Sequence, residues 1–404
     1  MKRGGTADLP LHYGKVPKWL YERMSKLGLS IIENILADYG QDEVLIRLAD
    51  PFWFQSFGAV MGMDWHSSGV TTSVMGALKR SVNPNSMSLG IHICGGKGNQ
   101  SRETPKEILK VSELTGIDGA LMVRNSRMVA KVDSTALQDG YQLYLHNFIL
   151  SDQGKWTVVQ QGMHFRDGTA RRYHWHSDNL GSFVNGPQRH IIGRPQGALL
   201  DLSSHEAAQN REGIISLCKE APESVVKEFR SLVMSAEHQV GTVDIDLKRL
   251  GAMLYVTREA NVDDFEELLL LKGIGPRTMQ ALALVSEVIH GGPFRFQDPA
   301  RFSFAHGGKD GYPFPVPLKV YDQTIEIFQT SIKSCDWSMS EKNVAIRNLH
   351  QLCVKAESAF RPDSDLSSAI QRERMESRAY GGRTVVDSGP VPKLSQIGAQ
   401  LSLF

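Results

Sequence analysis

Acidic, amide and imidazole side chains cluster in one stretch of the sequence, between residues 126 and 176. Carboxylates combined with imidazole and amide groups on adjacent strands can hold a divalent metal ion and a water nucleophile for phosphodiester hydrolysis. The sequence therefore predicts a catalytic site in this stretch, with two carboxylates as ligands of Mg²⁺ or Mn²⁺. The predicted catalytic residues are Asp133, Asp139, His146, Gln160 and Lys131, and the predicted metal ligands are Asp133 and Asp139.

Each of these residues also has an ordinary structural explanation. Asp139 precedes Gly140, which is common in turns. His146 can be a hydrogen-bonded histidine within a sheet, and Gln160 can belong to a polar strand face. His174 and His176 share one side of an extended segment and form an alternative metal pair. The spacing alone does not choose among these alternatives.

A glycine-rich segment, Gly95-Gly96-Lys97-Gly98, follows a strand-like run and precedes a helix. Glycine amides on such a loop suit an anion, and a lysine, a hydroxyl and an arginine lie close by in sequence. The segment lacks the GxxxxGK[ST] pattern of P-loops, so we expect a nucleic-acid phosphate here and not ATP hydrolysis. A surface turn is the alternative. The predicted phosphate contacts are Lys97, Ser101 and Arg102.

Basic and aromatic residues alternate in a second segment, Arg171-Arg172-Tyr173-His174-Trp175. Arginines bind phosphates, and aromatic rings stack on bases. We therefore predict that Arg171, Arg172, Tyr173 and Trp175 form a nucleic-acid-binding surface.

Glycines also separate two apolar helical segments, in the turn at residues 272–278. This segment resembles a helix-hairpin-helix motif, the sequence-nonspecific DNA-binding unit of many repair proteins. Its amides and the positive end of the following helix dipole suit a phosphate oxygen, and such contacts do not read bases. A plain corner between two helices is the alternative. The predicted DNA contacts are Lys272, Gly273, Ile274, Gly275, Arg277 and Thr278, with Ile274 also packing the turn into the core.

Two further candidates follow the hairpin. Asp298 lies at a distance similar to that of the catalytic aspartate in helix-hairpin-helix DNA glycosylases, which these segments resemble. The surrounding sequence departs from that family, and Pro276-Arg277 stands where a lyase-type lysine is expected. In the segment Phe304–Gly311, His306 and Lys309 are predicted phosphate contacts.

The sequence ends in a pentapeptide that resembles the bacterial sliding-clamp-binding motif at all five positions. An extended peptide of this kind places a glutamine amide in one pocket and its apolar residues in a cleft. A flexible linker before it would raise the local concentration of the protein on DNA. The predicted clamp-binding residues are Gln400, Leu401, Ser402, Leu403 and Phe404.

Composition places few limits on partners. The 404 residues include 45 basic and 44 acidic side chains, a net charge of +1, which excludes a bulk polycation but leaves room for a local basic groove. No apolar run is long enough to span a membrane, and the first residues carry no signal-peptide pattern, so we expect a cytoplasmic, nucleoid-associated protein. The four cysteines form no CxxC pair and are expected to be reduced.

The pattern of apolar residues predicts an α+β (or α/β) fold in three regions. Residues 1–204 form a mixed sheet-and-helix catalytic domain, 205–360 an all-helical domain with the hairpin, and 361–404 a disordered tail. Within the first region we expect helices at 19–39, 43–61 and 71–82, and a helix from Thr104 with Glu107 in a capping box. Expected strands are 88–94, 120–123, 128–132, 141–150 and 156–161, in a sheet of four to six strands. The last two are expected to form a hairpin through the turn at 151–155. Expected helices of the second region are 206–218, 222–235, 244–258, 263–270, 276–290, 320–334 and 340–359.

Several of these segments together resemble the family named domain of unknown function 763. The matching stretches include Gly5–Trp19, GGKGNQSRETPKEI, AKVDSTALQDGYQLYLHNF, WTVVQQGM, ARRYHW, the glycine hairpin and FAHGGKDGYPFPV. The resemblance implies kinship and brings no activity with it.

Taken together, the motifs predict a clamp-tethered DNA-processing protein of repair or replication, with metal-dependent nuclease activity. The alternatives are a DNA glycosylase that uses Asp298, a DNA-structure-binding adaptor without activity, and a metabolic enzyme that binds a small phosphorylated ligand at the glycine-rich segment.

Overall fold

A computed structural model describes residues 9, 16–63, 68–178, 180–193, 199–231, 247–292 and 295–296, and scattered positions between 326 and 347. Among these residues, no helix combines the length and the apolar character needed to cross a bilayer.

Four helices form the N-terminal layer: α1 (Lys18–Tyr39), α2 (Gln41–Ala49), α3 (Pro51–Val60) and α4 (Gly69–Val82). The predicted helices at 19–39 and 71–82 are confirmed. The single helix predicted at 43–61 is wrong, because the helix is interrupted at Asp50. The Asp50 carboxylate accepts a hydrogen bond of 2.8 Å from the amide of Trp53, and Pro51 occupies the first helical position, so a new helix begins there.

The central sheet has five antiparallel strands in sequential order: β1 (Ile91–Lys97), β2 (Gln142–Ser151), β3 (Trp156–His164), β4 (Thr169–His176) and β5 (Arg189–Ile192). A short helix, α5 (Ser86–Leu89), precedes β1, so the strand predicted at 88–94 begins three residues later. The predicted β2–β3 hairpin and the number of strands are confirmed. In the register of the sheet, Gln160 lies opposite both His146 and Tyr173.

Three helices connect β1 to β2: α6 (Asn99–Arg102), α7 (Thr104–Thr115) and α8 (Gly119–Lys131), followed by a π-helical turn (Val132–Ala136). The strands predicted at 120–123 and 128–132 are therefore wrong. The Asp118 carboxylate caps α8 by accepting a 2.9 Å hydrogen bond from the amide of Leu121, and the buried side chains of the helix recur at helical spacing.

The remaining described elements are mostly helical: β6 (Leu200–Asp201), α9 (Ala208–Lys219), α10 (Pro222–Ser231), α11 (Leu247–Glu259), α12 (Phe265–Leu270), α13 (Pro276–His290) and β7 (Arg295–Phe296), which pairs with β6. These elements confirm the helices predicted between 206 and 290, apart from residues 232–235 and 244–246, which lie outside the described residues. The predicted helices 320–334 and 340–359 lie largely outside the described residues, and the tail at 361–404 lies entirely outside them.

Both faces of the sheet are covered. One face packs on α1–α4 through Ile93, Ile149 and Val159. The other face packs on α7 and α8, and the same apolar cluster continues into α9, α12 and α13, where it includes Leu268 and Leu282. The predicted boundary at residues 204/205 thus falls within a shared core. The mixed α+β class is confirmed, and charged strand residues are enclosed on both faces.

Candidate functional site

Three of the predicted catalytic side chains form one hydrogen-bonded chain on one face of the sheet. Gln160 Nε2 donates to Asp133 Oδ2 at 2.6 Å, and Gln160 Oε1 lies 2.7 Å from His146 Nδ1. His146 Nε2 lies 2.8 Å from the Ser126 hydroxyl. Because the Gln160 oxygen can only accept, His146 carries its proton on Nδ1 and accepts from Ser126. All four side chains are buried.

Asp133 receives two more partners from strands β4 and β5. Trp175 Nε1 donates to its Oδ2 at 2.6 Å, and an Arg189 guanidinium nitrogen lies 3.3 Å from its Oδ1. Burial nevertheless raises the pKa of Asp133 to about 6, with Arg189 acting in the opposite direction. Burial also lowers the pKa of His146 to about 4, so this imidazole is neutral at pH 7. Sequence reasoning did not find Arg189 or Ser126, because nothing in their local sequence marks them.

Asp139 lies in the same buried layer and has its own cation. Its Oδ2 accepts from Arg171 at 3.0 Å and from the Tyr173 hydroxyl at 2.7 Å, and its Oδ1 accepts from the amide of Tyr141. Burial raises the pKa of Asp139, while Arg171 lowers it. Each of these two buried carboxylates is already paired with an arginine, so a divalent metal ion would have to displace those pairs in order to bind. In the part of the chain that the structure describes, no three His, Cys, Asp or Glu side chains are grouped as metal ligands.

The predicted nucleic-acid-binding surface on β4 is wrong. Arg171, Arg172, Tyr173 and Trp175 are all 0 % exposed, because α2 packs against one face of the strand and Asp133 and Asp139 lie against the other. Arg171, Tyr173 and Trp175 point to the layer of Asp133 and Asp139, and Arg172 points to the other face.

Arg172 is held on that face by neutral groups. Its guanidinium donates to Gln55 Oε1 at 2.8 Å and to His174 Nε2 at 2.9 Å, and it lies over the ring of Phe54. His174 Nδ1 in turn bonds the Leu48 carbonyl oxygen. Both ring nitrogens of His174 therefore have protein partners, which argues against the alternative metal pair with His176.

The glycine-rich segment is the end of a strand and not an open loop. The Gly95 amide donates to the Glu107 carboxylate at 2.6 Å, and the Gly98 amide donates to the Tyr144 carbonyl oxygen at 2.8 Å. Gly95 has a φ of 97°, and a Cβ there would lie 2.2 Å from the His146 carbonyl oxygen, so glycine permits close strand pairing. The amides of Gly95 and Gly98 are thus already hydrogen-bonded within the fold. Glu107, which accepts from the Gly95 amide, does not form the predicted capping box.

The side chains predicted to contact phosphate in this segment differ in their exposure. Lys97 and Arg102 are exposed. Ser101 is buried, and its hydroxyl donates to the Gly98 carbonyl oxygen at 2.6 Å. The two exposed side chains stay predictions as phosphate contacts, whereas the Ser101 hydroxyl is used within the fold.

The glycine hairpin joins α12 to α13 as predicted. Gly273 has a φ of 95°, and Ile274 is only 2 % exposed and packs in the core. Lys272 and Arg277 are exposed at the tip, whereas Thr278 is buried, so its side chain does not lie on that surface.

The N-terminal region contacts this turn directly. Lys131 Nζ, one of the predicted catalytic groups, donates to the Ile274 carbonyl oxygen at 2.7 Å, and Gln138 Nε2 donates to the Pro276 carbonyl oxygen at 2.8 Å. Lys131 thus holds the hairpin and does not join the chain of Asp133, Gln160 and His146.

Several predicted residues lie outside the described part of the chain: Asp298, His306, Lys309 and the pentapeptide Gln400, Leu401, Ser402, Leu403 and Phe404. Of the cysteines, Cys94 and Cys218 are buried and free, as expected, and the other two lie outside the described residues.

Comparison with known proteins gives one match. A family profile, described as "Protein of unknown function (DUF763)", matches residues 5–316, which is most of the 404-residue chain. The chain belongs to the DUF763 family. No curated protein and no solved structure matches this DUF763 protein significantly.

Proposed function

We propose that this DUF763 protein binds DNA without sequence specificity, through the hairpin between α12 and α13. One observation carries the proposal: the turn exposes Gly273 with Lys272 and Arg277 beside the N-terminus of α13, while Ile274 fixes it to the core. Within the described part of the chain, the amides of Gly273 and Gly275 donate to no other group. Such amides and the positive end of the helix dipole complement a phosphate oxygen.

The two exposed cations at the tip extend this phosphate site. Neither Lys272 nor Arg277 has a carboxylate partner among the described residues. Each phosphate that they neutralise should release counterions, so binding should weaken with salt by about 0.9 in the log–log slope per contact. Contacts of this kind position a protein on DNA and do not read its sequence.

We also propose that the terminal pentapeptide Gln400–Phe404 binds a bacterial sliding clamp. The support is its sequence, which resembles the clamp-binding motif at every position. A tether of this kind explains how a chain with a net charge of +1 stays on DNA with few phosphate contacts of its own.

Fluorescence anisotropy with two duplexes of unrelated sequence tests the DNA-binding proposal. The variant Lys272→Gln/Arg277→Gln should lose affinity about tenfold or more for both duplexes, with a salt slope smaller by about two. The matched control is Lys106→Gln/Lys110→Gln, which removes two exposed charges from α7 and should bind like the natural protein. Unchanged binding by the hairpin variant, with its melting temperature preserved, would overturn the proposal.

Deleting residues 400–404 tests the tether separately. Capture on an immobilised clamp should be lost, while affinity for duplex DNA stays the same. Retained capture would refute the role of the pentapeptide.

Phosphodiester hydrolysis is a second candidate function. It is favoured by the convergence of Asp133, Gln160 and His146 in one hydrogen-bonded chain, since perturbed titratable groups cluster at functional sites. Because these hydrogen-bonded side chains are buried, the surrounding fold must open before DNA or a metal ion can reach them.

Labelled single-stranded, duplex, flap and abasic DNA, incubated with Mn²⁺, Mg²⁺ or EDTA, separates the enzymatic alternatives. Metal-dependent cleavage that is lost in Asp133→Asn supports hydrolysis at this site, and cleavage that survives in the variant excludes the site. Base release in EDTA, lost in Asp298→Asn, supports the glycosylase. Binding without any product supports an adaptor.

A further inference from the structure

A pocket of about 600 Å³ opens on the α1–α4 side of the sheet, whereas the hairpin is held by Lys131 and Gln138, which do not line it. It lies between α1, α4, α6 and the edge formed by β1 and β2. Its walls include apolar groups of Met75 and Leu145, and the buried amide side chain of Asn147 also lines it. This volume lies within the range of roughly 300–1,000 Å³ that is typical of small-molecule sites.

Three cations line the pocket, and none of the lining residues is acidic. Lys79 is already neutralised, because its ammonium contacts the Glu107 carboxylate at 2.7 Å and the Gly95 carbonyl oxygen at 2.6 Å. It ties α4 to β1 and α7, which is a structural role.

Arg80 and Lys97 have no carboxylate partner in the described part of the chain. Arg80 lies over the Tyr21 ring, 5.6 Å from its centroid, and Lys97 lies 5.8 Å from the centroid of the Tyr144 ring. The two side chains are exposed, so they form an uncompensated pair of positive charges at the mouth of a pocket with partly apolar walls.

This distribution of charge selects an amphipathic anion. A dianionic phosphate monoester matches the two cations, and a flat ring attached to it matches the apolar walls and the aromatic side chain of Tyr21. The Gln100 side chain, at the pocket wall, makes no hydrogen bond to the described residues and can bond the polar edge of such a ring.

We propose that this pocket binds a nucleotide phosphate monoester, with the phosphate between Arg80 and Lys97 and the base against the pocket walls. The nucleotide can be free or can be the phosphorylated end of a DNA strand. Partial loss of hydration lowers the pKa of the Lys97 ammonium, and a bound anion would act in the opposite direction.

Isothermal titration with deoxynucleoside monophosphates, the matching nucleosides and inorganic phosphate tests the pocket. The monophosphates should bind more tightly than either part alone, and Arg80→Gln/Lys97→Gln should weaken them about tenfold or more. Lys106→Gln/Lys110→Gln is the matched control, expected to bind normally. Equal binding by the pocket variant, or no binding of any monophosphate at millimolar concentration, would overturn the proposal.

Competition by oligonucleotides distinguishes the two sources of the phosphate. If a strand end is the ligand, a 5′- or 3′-phosphorylated oligonucleotide displaces the monophosphate and its hydroxyl-ended counterpart does not. If the free nucleotide is the ligand, neither displaces it. The hairpin variant Lys272→Gln/Arg277→Gln should bind monophosphates normally, so the pocket and the hairpin are tested independently. Loss of monophosphate binding in that variant would place the nucleotide at the hairpin and contradict the pocket proposal.

Discussion

The ammonium of Lys131 donates a hydrogen bond to the carbonyl oxygen of Ile274, 2.7 Å away. Lys131 ends α8 and directly precedes the π-helical turn that carries Asp133, while Ile274 is the centre of the glycine hairpin. Gln138 adds a second bond, to the carbonyl oxygen of Pro276. The buried polar residues around Asp133 and the proposed DNA-binding turn are therefore adjacent in the fold. The N-terminal region fixes the orientation of the hairpin.

The Lys131 contact gives the first prediction. Lys131→Met keeps most of the side-chain volume but removes the bond to Ile274, so the free energy of unfolding should fall by about 1–2 kcal/mol. Affinity for duplex DNA should also fall severalfold, because the turn loses one of the two side-chain hydrogen bonds, from Lys131 and Gln138, described above. Urea denaturation and anisotropy measure the two effects. Lys110→Met, on an exposed face of α7, is the control, and a DNA affinity unchanged in Lys131→Met would show that the turn needs no such support.

Two neighbouring arginines on β4 should differ in their contribution to stability. Arg171→Met leaves the buried Asp139 carboxylate without its cation and should cost about 3–5 kcal/mol. Arg172→Met leaves only neutral partners, Gln55 and His174, and should cost about 1–3 kcal/mol. Chemical denaturation of both variants makes the comparison. A larger loss in Arg172→Met would contradict the charge pairing described for Asp139.

Asp133 and His146 should have opposing effects on how stability changes with pH. The pKa of Asp133 is raised from 3.8 to about 6 in the folded chain, so between these values the folded state holds an extra proton and stability falls as pH rises. The pKa of His146 is lowered from 6.5 to about 4, so stability rises with pH over nearly the same window. The two slopes largely cancel in the natural protein.

Asp133→Asn removes only one of these slopes. The free energy of unfolding of this variant should therefore increase more steeply between pH 4 and 6 than that of the natural protein, by up to about 1.4 kcal/mol per pH unit. Urea midpoints measured across this range test the slope, whatever the overall loss of stability in the variant. Parallel pH profiles would mean that Asp133 titrates normally in the folded chain.

Substitution of Gly273 tests whether the hairpin binds DNA, and Gly154 provides a matched control. Its φ of 95° is strained for any other residue, so Gly273→Ala should cost about 1–2 kcal/mol and weaken DNA binding by distorting the turn. Gly154, in the β2–β3 hairpin, has a φ of 79°, and Gly154→Ala should lose similar stability without losing DNA affinity. Equal DNA affinities in the two variants would count against the hairpin as the binding site.

The sequence pattern predicted most elements but not the helix that carries Lys131. Helix α8 buries Asn125 and Ser126 on the same face as Met122 and Val129, and these polar residues interrupt the apolar period on which helix prediction depends. The remaining apolar residues of α8 then form two short runs, which were predicted as strands. Ser126 is buried because it bonds His146, a partner twenty residues later in the chain.

The convergence of Asp133, His146 and Gln160 was predictable, but their environment was not. Strand alternation usually leaves one face polar and solvated, and on that basis Arg171 and Arg172 look exposed. Here helices cover both faces of the sheet, so each arginine needs an internal partner. Only the three-dimensional fold reveals these partners, since Asp139 and Gln55 lie far from β4 in sequence.

Hydrogen exchange at the hairpin tests whether the turn itself contacts DNA. Peptides that span residues 271–280 are followed by mass spectrometry in the full-length protein, with and without duplex DNA. If the amides of Gly273 and Gly275 bind phosphate, exchange in these peptides should slow on addition of DNA, and the effect should disappear in Lys272→Gln/Arg277→Gln. Unchanged exchange at residues 271–280, under conditions where anisotropy shows the DNA to be bound, would contradict DNA binding by the hairpin.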